Sequence, residues 1–259
     1  MRSLLVGNGF DIQLGGQDFA NKWIIVRLIA DALSGETDAL FISSPGGNPS
    51  VDGSSIVGII NEFPTLSIKA INGEYDNLKE VISNNDLSKS LESFKSRYPE
   101  GAKSPEEIGL EDWFLLIHLF LYEQSDLIDH YPSIKQGFES LLLNAIYCHG
   151  KIQQLWRGIN PKTKNYIDSF DKIFSVNYDS TLDKLTEKPV FHLHGDFETK
   201  HDSENPQTAR GFLRKEKGES IWFSERFQHC NTNAILDYSG SNKYKLATAF
   251  SKMNLEREK

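Results

Sequence analysis

Several things are scarce in this chain, and each shortage removes a class of protein. Only two cysteines, Cys148 and Cys230, occur in 259 residues, and they form no C-x-x-C pair. A cysteine-rich zinc ribbon is thereby excluded and a disulfide framework is not expected. A reducing cytoplasm is the default compartment. Long apolar runs are missing as well. The densest one, Trp113 to Tyr122, contains His118 and falls short of the roughly 20 residues that a membrane helix needs. The run Ser3-Leu4-Leu5-Val6, behind a single arginine, is too short for the core of a signal peptide. There is no excess of positive charge: 28 Lys and Arg face 36 Asp and Glu, a net charge of −8. The basic residues are scattered apart from Arg214-Lys215-Glu216-Lys217, so no footprint for direct nucleic-acid binding is visible. No internal repeat and no low-complexity tract is found.

What is present is ordinary for a globular protein, with 39% hydrophobic and 25% charged residues. The length suits one large domain, or one domain with a helical insert. Residues 3–6 read as a short buried strand ending in Gly7-Asn8-Gly9-Phe10-Asp11. Gly15-Gly16 precedes a helical pattern over 21–33, with Ile24, Ile25, Leu28, Ile29 and Ala32 at helical spacing. Ala39-Leu40-Phe41-Ile42 is compatible with a second strand, and residues 43–55, rich in Ser, Gly and Pro, read as a loop. Residues 56–63 fit either a helix or a strand. A polar helix is expected over 74–98, a core helix over 111–122 and a longer helix over 133–157. Together these make a largely helical insert at about 72–165 within a single domain spanning 1–259. The α/β pattern returns at Lys172-Ile173-Phe174-Ser175-Val176, then at a helix over 180–185 and a strand over 189–193. Residues 195–220 read as a long polar loop, long enough to serve as a lid. Residues 233–250 are expected to hold one more strand or short helix and a final helix.

Three short stretches carry chemistry. Gly7-Asn8-Gly9 follows a strand, where glycines let a phosphate or ribose meet bare backbone N–H groups. The third glycine of the dinucleotide fingerprint would fall at position 12, which is Ile12, and a tight strand-to-helix turn accounts for the motif at least as well. Asn177-Tyr178-Asp179 ends another strand. Asn offers a donor and an acceptor to a water or ribose hydroxyl, and Asp accepts from hydroxyls. By itself the triplet is better read as a turn and an N-cap, a common use of both residues. His192-Leu193-His194-Gly195 ends a third. Alternate residues of a strand share a face, and histidine exchanges protons near neutral pH. A metal site would need a third ligand that nothing obvious supplies, so a general base is the better reading for His194. His192 is expected to be a supporting or core histidine.

In the order GxG, N-Y-D, H-x-H-G, these stretches resemble the sirtuin-like NAD-consuming domains of bacterial antiphage defence. The Gly7-Asn8-Gly9-Phe10-Asp11 opening is closest to the AbiH-like abortive-infection branch. The resemblance covers only short windows, but they span most of the chain. It implies an α/β fold with a Rossmann-like, mostly parallel sheet flanked by helices and carrying the helical insert. It implies that Gly7 and Gly9 approach NAD, that Asn177 and Asp179 lie at the nicotinamide ribose, and that His194 is the catalytic histidine. Asn8, Phe10, Asp11, Tyr178 and Gly195 complete the expected NAD-binding set. Two departures matter. Asn8 and Phe10-Asp11 stand where the family's deacetylases have a small residue and a Ser or Thr, and the four-cysteine zinc module is missing. No acyl-lysine groove follows, which moves the expectation from deacetylation to plain NAD cleavage, with NAD as substrate and no metal.

The expected reaction hydrolyses the nicotinamide–ribose bond to give nicotinamide and ADP-ribose, through an oxocarbenium-like transition state. Two alternatives stay open: a catalytically silent module that senses NAD or ADP-ribose, and an ADP-ribosyltransferase. An enzyme that drains NAD is toxic when always active. The resemblance therefore also implies a homo-oligomer, or a complex with a separate sensor protein, as the toxic effector of an abortive-infection system. A fragment of a longer protein is a further possibility.

Overall fold

The computed structural model describes residues 1–41, 51–78, 85–193, 195–197, 200–201, 209–210 and 230. They fall into two compact units. One comprises Met1–Ile24 with the described part of 142–230, the other the described part of Ile25–Leu141. The described chain is mostly helical, and its three-stranded parallel sheet is flanked by helices, an α/β arrangement. In chain order, β1 (Ser3–Val6) leads into α1 (Gly9–Gly15) and α2 (Asn21–Leu33). Next come α3 (Gly53–Ile71), α4 (Asn85–Arg97), α5 (Leu110–Glu123) and α6 (Tyr131–Tyr147). They are followed by α7 (Pro161–Asp168), β2 (Lys172–Ser175), α8 (Thr181–Leu185) and β3 (Val190–His192), then by β4 (Lys200–His201) and β5 (Ala209–Arg210). No helix among the described residues is long and apolar enough to cross a membrane.

The sheet order is β1-β2-β3, with β2 in the middle and all pairings parallel. Leu4, Ile173 and Val190 stand side by side, as do Val6, Ser175 and His192 two residues on. Period-two alternation puts all six on one face. That face packs Val6 and Ile173 against Ile167, Phe170, Leu182 and Leu185, with Phe10 and Trp156 at the margin. The other face carries Phe174 and Phe191, whose rings lie 5.5 Å apart, together with Leu193. A strand covered on both faces reads as a continuous apolar run, which is why Ile173-Phe174 was recognisable. Helix α7 starts with Pro161 after Asn160, whose side-chain oxygen accepts from the Thr163 amide at 3.0 Å. Helix α8 is the crossover between two parallel strands, and its Leu182 and Leu185 bury against the sheet.

In the other unit, Asp52 caps α3 by accepting from the Ser55 amide at 2.7 Å. Its buried face includes Ile56, Ile60 and Phe63. Phe63 meets Trp113 of α5 edge-on at 5.4 Å and stacks on Phe138 of α6 at 6.1 Å.

Four expectations change. Residues 38–41 form a 3₁₀ turn rather than a strand, because Gly35, at φ 73°, ends α2 and the amides of Asp38 and Leu40 bond locally to Gly35 and Thr37. Ile42 lies outside the described residues. The 56–63 ambiguity resolves as helix, begun by the Asp52 cap inside the segment read as a loop. The helix expected over 133–157 stops at Tyr147, since Cys148, His149 and Gly150 all have positive φ (49°, 52° and 81°), and a 3₁₀ segment, Ile152–Gly158, carries the apolar stripe onward. The polar helix of 74–98 is described only as α4, with turns over 72–77 and residues 79–84 outside the described set. Within the polar stretch after residue 195, β4 and β5 pair antiparallel. Residues 233–250 lie outside the described residues.

Ile173 is fully buried at the centre of the sheet. Ile173→Ala is expected to lower unfolding free energy by about 2–5 kcal/mol with an unchanged urea m-value, measured by urea titration.

Candidate functional site

Because the three strands are parallel, the segments that leave their C-terminal ends emerge at one edge of the sheet, where open α/β sheets place ligands. The ladder runs slightly past the strands: Val176 N–H donates to Val6 O at 3.0 Å, and Leu193 N–H to Ser175 O at 2.8 Å. Gly7 leaves β1 where a Cβ would sit 3.2 Å from Val176 Cγ2, so the glycine permits this close approach. The chain then turns directly into α1, with Phe10 N–H donating to Gly7 O at 2.9 Å. That turn brings Asp11 back over the strand ends.

Asp11 is 2% exposed, Asp179 3% and Asn177 8%. The Asn177 side-chain amide donates to Asp11 Oδ2 at 2.9 Å across 166 residues of sequence. Asp179 Oδ1 accepts from the Thr181 amide at 2.7 Å and so satisfies the first backbone N–H of α8. Asp11 Oδ1 meets no hydrogen-bond donor among the described residues. Burial, and then the neighbouring Asp179 charge, push the Asp11 carboxyl up to about 8 from an ordinary 3.8. Burial also raises Asp179, against its bonds from Thr181 and the nearby His192. Two buried carboxyls this close cannot both ionise without large cost, and a shared proton relieves the pair. With one proton on it, such a pair is an acid and a carboxylate side by side, able to donate to and accept from one hydroxyl-bearing ligand.

His192 lies on the same sheet face as Ser175 and is buried. Its Nδ1 is 3.0 Å from the Asn177 carbonyl oxygen and its Nε2 is 3.0 Å from Asp183 Oδ2. A carbonyl only accepts, so Nδ1 carries a hydrogen and donates it. Burial opposes charge on this ring, but the Asp183 bond and charge, the Asn177 carbonyl and the Asp196 charge together hold its pKa above the ordinary histidine value. His192 thus ties the Asn177 backbone to β3 and α8. His194, the expected catalytic histidine, lies outside the described residues.

The remaining predicted residues are placed as follows. Asn8 is exposed, and its amide donates to Phe19 O at 3.2 Å, which pins the strand-to-helix turn. A Cβ on Gly9 would meet nothing within 4 Å among the described residues, so the backbone there is open to approach. Phe10 packs its ring toward the sheet core. Tyr178 is half-buried, with its ring 6.2 Å from that of Phe197, whose amide donates to Tyr178 O at 2.9 Å. Gly195 is buried at φ 88°, a left-handed position that favours glycine, and turns the chain back so that this bond can form. The structure therefore brings Gly7, Asp11, Asn177, Asp179 and Gly195 to one sheet edge, and gives Asn8 and Phe10 structural work beside it.

Sequence reasoning missed two partners. Asp183 grips His192, and Gln153 Oε1 accepts from both the amide and the hydroxyl of Ser180 at 2.8 Å. A polar residue on a short helix and a glutamine behind a kink carry no pattern of their own. Comparison of the chain with protein-family models, with curated proteins and with solved structures gave no match.

The shared proton has a stability signature. The folded protein holds a proton on Asp11 that the unfolded chain releases above pH 3.8, so the stability this group contributes at low pH is lost as pH rises toward about 8. Asp11→Asn keeps the acceptor for Asn177 and removes the titration. Relative to the parent, this variant is expected to gain stability between pH 4 and 8, by up to about 1.4 kcal/mol per pH unit, in urea unfolding at stepped pH.

Proposed function

We propose that this chain is a sirtuin-like NAD hydrolase on a Rossmann-like sheet, cleaving the nicotinamide–ribose bond as the toxic effector of an antiphage abortive-infection system. The observation that carries the proposal is the buried pair Asp11 and Asp179, braced by Asn177, at the C-terminal edge of a parallel sheet. A carboxyl with its proton beside an ionised carboxylate suits the vicinal hydroxyls of a ribose, which both donate and accept. The open approach above Gly9 supports the passage of a pyrophosphate along the backbone. The ordered sequence motifs supply the rest of the support, His194 included.

The chemistry asks little of the protein beyond orientation and charge. Nicotinamide leaves as a neutral molecule, so its departure needs no acid. The C1′–N bond breaks with its electron pair going to nicotinamide. Positive charge develops on the ribose, and an ionised carboxylate at Asp179 stabilises it. Water attacks C1′ and gives up a proton to His194, the general base. Asn177 aligns Asp11 against the ribose. Because Asp11, Asn177 and Asp179 are held by the fold before substrate arrives, little reorganisation of these three is left for the reaction itself.

A silent NAD or ADP-ribose sensor has one observation in its favour. The Asn177 amide and Asp179 Oδ1 are already engaged within the protein. Chromatographic measurement of nicotinamide release from NAD by the purified full chain separates the readings. Hydrolysis predicts release with free ADP-ribose, and transfer predicts release with ADP-ribose on an acceptor. Sensing predicts saturable NAD binding with no release at any protein concentration. His194→Ala and Asn177→Ala are each expected to lower release by about 100-fold or more while the far-UV circular dichroism is kept. Full activity in both variants would sink the assignment.

A further inference from the structure

We infer that Gln153 is a positioning residue: its side-chain oxygen clamps the backbone turn that carries Asp179 and so sets that carboxyl beside Asp11. The inference rests on the proposal that these strand ends hold the reacting centre, and it gives a role to a residue outside all three motifs.

The clamp is made of two bonds to one oxygen. Gln153 Oε1 accepts from the Ser180 amide and from the Ser180 hydroxyl, each at 2.8 Å. A backbone N–H can only donate, so the oxygen end of the Gln153 amide is the end that faces Ser180. Ser180 lies between Asp179 and Thr181, and the Thr181 amide donates to Asp179 Oδ1 across it at 2.7 Å. Holding both donors of Ser180 therefore holds the short turn on which the Asp179 carboxyl is mounted. Next to it, the Ile152 carbonyl accepts from the Thr181 hydroxyl at 3.4 Å. Ser180 and Thr181 are thus both tied to one 3₁₀ segment, Ile152–Gly158.

The same segment also supports the helix that carries Asp11. A Cβ on Gly15, the last residue of α1, would lie 2.8 Å from Leu155 Cδ2, so the end of α1 rests directly on the segment. Trp156 and Phe10 pack against one apolar cluster. Asp11 lies about one helical turn before Gly15 and moves with α1. One short segment therefore gives both carboxyl-bearing elements a common support. Its direction is set by the kink before it. Cys148, His149 and Gly150, at φ 49°, 52° and 81°, follow the end of α6, and Lys151 N–H donates to Cys148 O at 3.0 Å as the chain turns. Left-handed backbone at two non-glycine residues is unfavourable and persists only where the surroundings hold it. The bonds to Ser180 and Thr181 begin just after that kink.

Two substitutions at one position separate the bonds from the volume. Gln153→Met keeps the length and most of the bulk of the side chain and removes the acceptor. Gln153→Glu keeps an acceptor for both Ser180 donors. Nicotinamide release is measured with the purified full chain, beside Ile167→Val, a change in the apolar cluster under the sheet. Gln153→Met should lose about tenfold in kcat with KM changed less than about twofold, because a misplaced Asp179 fails to meet the charge that develops on the ribose. Gln153→Glu should keep most of the parent kcat. Adding Ser180→Ala to Gln153→Met should cost nothing more, since the hydroxyl has already lost its acceptor. Ile167→Val should lower unfolding free energy and leave kcat within about twofold of the parent.

A second measurement reads the carboxyl pair itself. Full-length protein labelled with ¹³C at aspartate is titrated by carboxyl NMR, with Asp11→Asn identifying the Asp11 signal. Asp179 acts on Asp11, and His192 on Asp179. With Asp179 displaced, the Asp11 midpoint should fall in Gln153→Met and hold in Ile167→Val. Parent kcat in Gln153→Met overturns the inference. So does a loss in Gln153→Glu equal to that in Gln153→Met, or an Asp11 midpoint unmoved in Gln153→Met. If the parent releases no nicotinamide, the hydrolase proposal fails, and the Asp11 midpoint decides the positioning role alone. A fall in Gln153→Met then sustains the role, and an unmoved midpoint overturns it.

Discussion

Two carboxyl groups, Asp11 and Asp179, are kept from water at one edge of a three-stranded sheet, and the surrounding structure is arranged to make that tolerable. Burying an ionised carboxylate without a partner is among the costliest acts available to a protein. The solution here is local and shared. Asn177 donates to one carboxyl, the Thr181 amide donates to the other, and burial with the neighbouring charge raises both pKa values, so that a proton on the pair relieves the repulsion that remains. Asn177 is the node of this arrangement. Its backbone amide donates to Ser175 Oγ at 3.0 Å, its carbonyl accepts from His192, and its side chain reaches Asp11. One residue thus ties together β2, β3 and α1.

The apolar faces of the sheet supply the stability that this polar edge consumes. Ile173 and Phe174, adjacent in β2, bury toward opposite faces, and each fully buried side chain of this size contributes roughly 1.5–3 kcal/mol. The kink at Cys148-His149 belongs to the same economy. Two non-glycine residues at positive φ cost roughly 1–3 kcal/mol each. After the kink, Gln153 reaches the amide and hydroxyl of Ser180, and the Ile152 carbonyl accepts from the Thr181 hydroxyl at 3.4 Å. Strain behind the site is thereby matched by bonds that hold the segment between Asp179 and α8.

The strands and the site residues were legible in the sequence to different degrees, for physical reasons. The central strand Lys172–Ser175, buried on both faces, writes itself as an apolar run ended by Asn-Tyr-Asp, and the edge strands Ser3–Val6 and Val190–His192 were legible from short apolar runs leading to a glycine although Leu5 is exposed. The four apolar residues from Ala39 to Ile42 look the same, yet residues 38–41 satisfy their amides locally in a 3₁₀ turn. The break at 148–150 had only Gly150 to announce it, because the apolar spacing continues across the kink. Asp11 was visible as a polar residue after a glycine turn, but its burial was not. That burial depends on α1 starting at Gly9, with only Gly7 and Asn8 between it and the strand. Asp183 was invisible, since an acid on the first turn of a helix is also the commonest kind of solvated residue.

Turn-and-cap work and ligand work were competing explanations for Asn177 and Asp179 in the sequence, but in the structure they are compatible. Asp179 uses Oδ1 to accept from the Thr181 amide at the start of α8, and its charge acts on the Asp11 carboxyl. Asn177 makes a turn with its backbone and holds Asp11 with its amide. A side chain that is already fixed by capping or turn formation has lost its rotamer freedom at folding, so it does not lose it again when a ligand arrives. The energy that folds the strand ends is therefore the same energy that orients the carboxyl pair. The structural duties of these residues are thus the physical means by which such a site is preorganised.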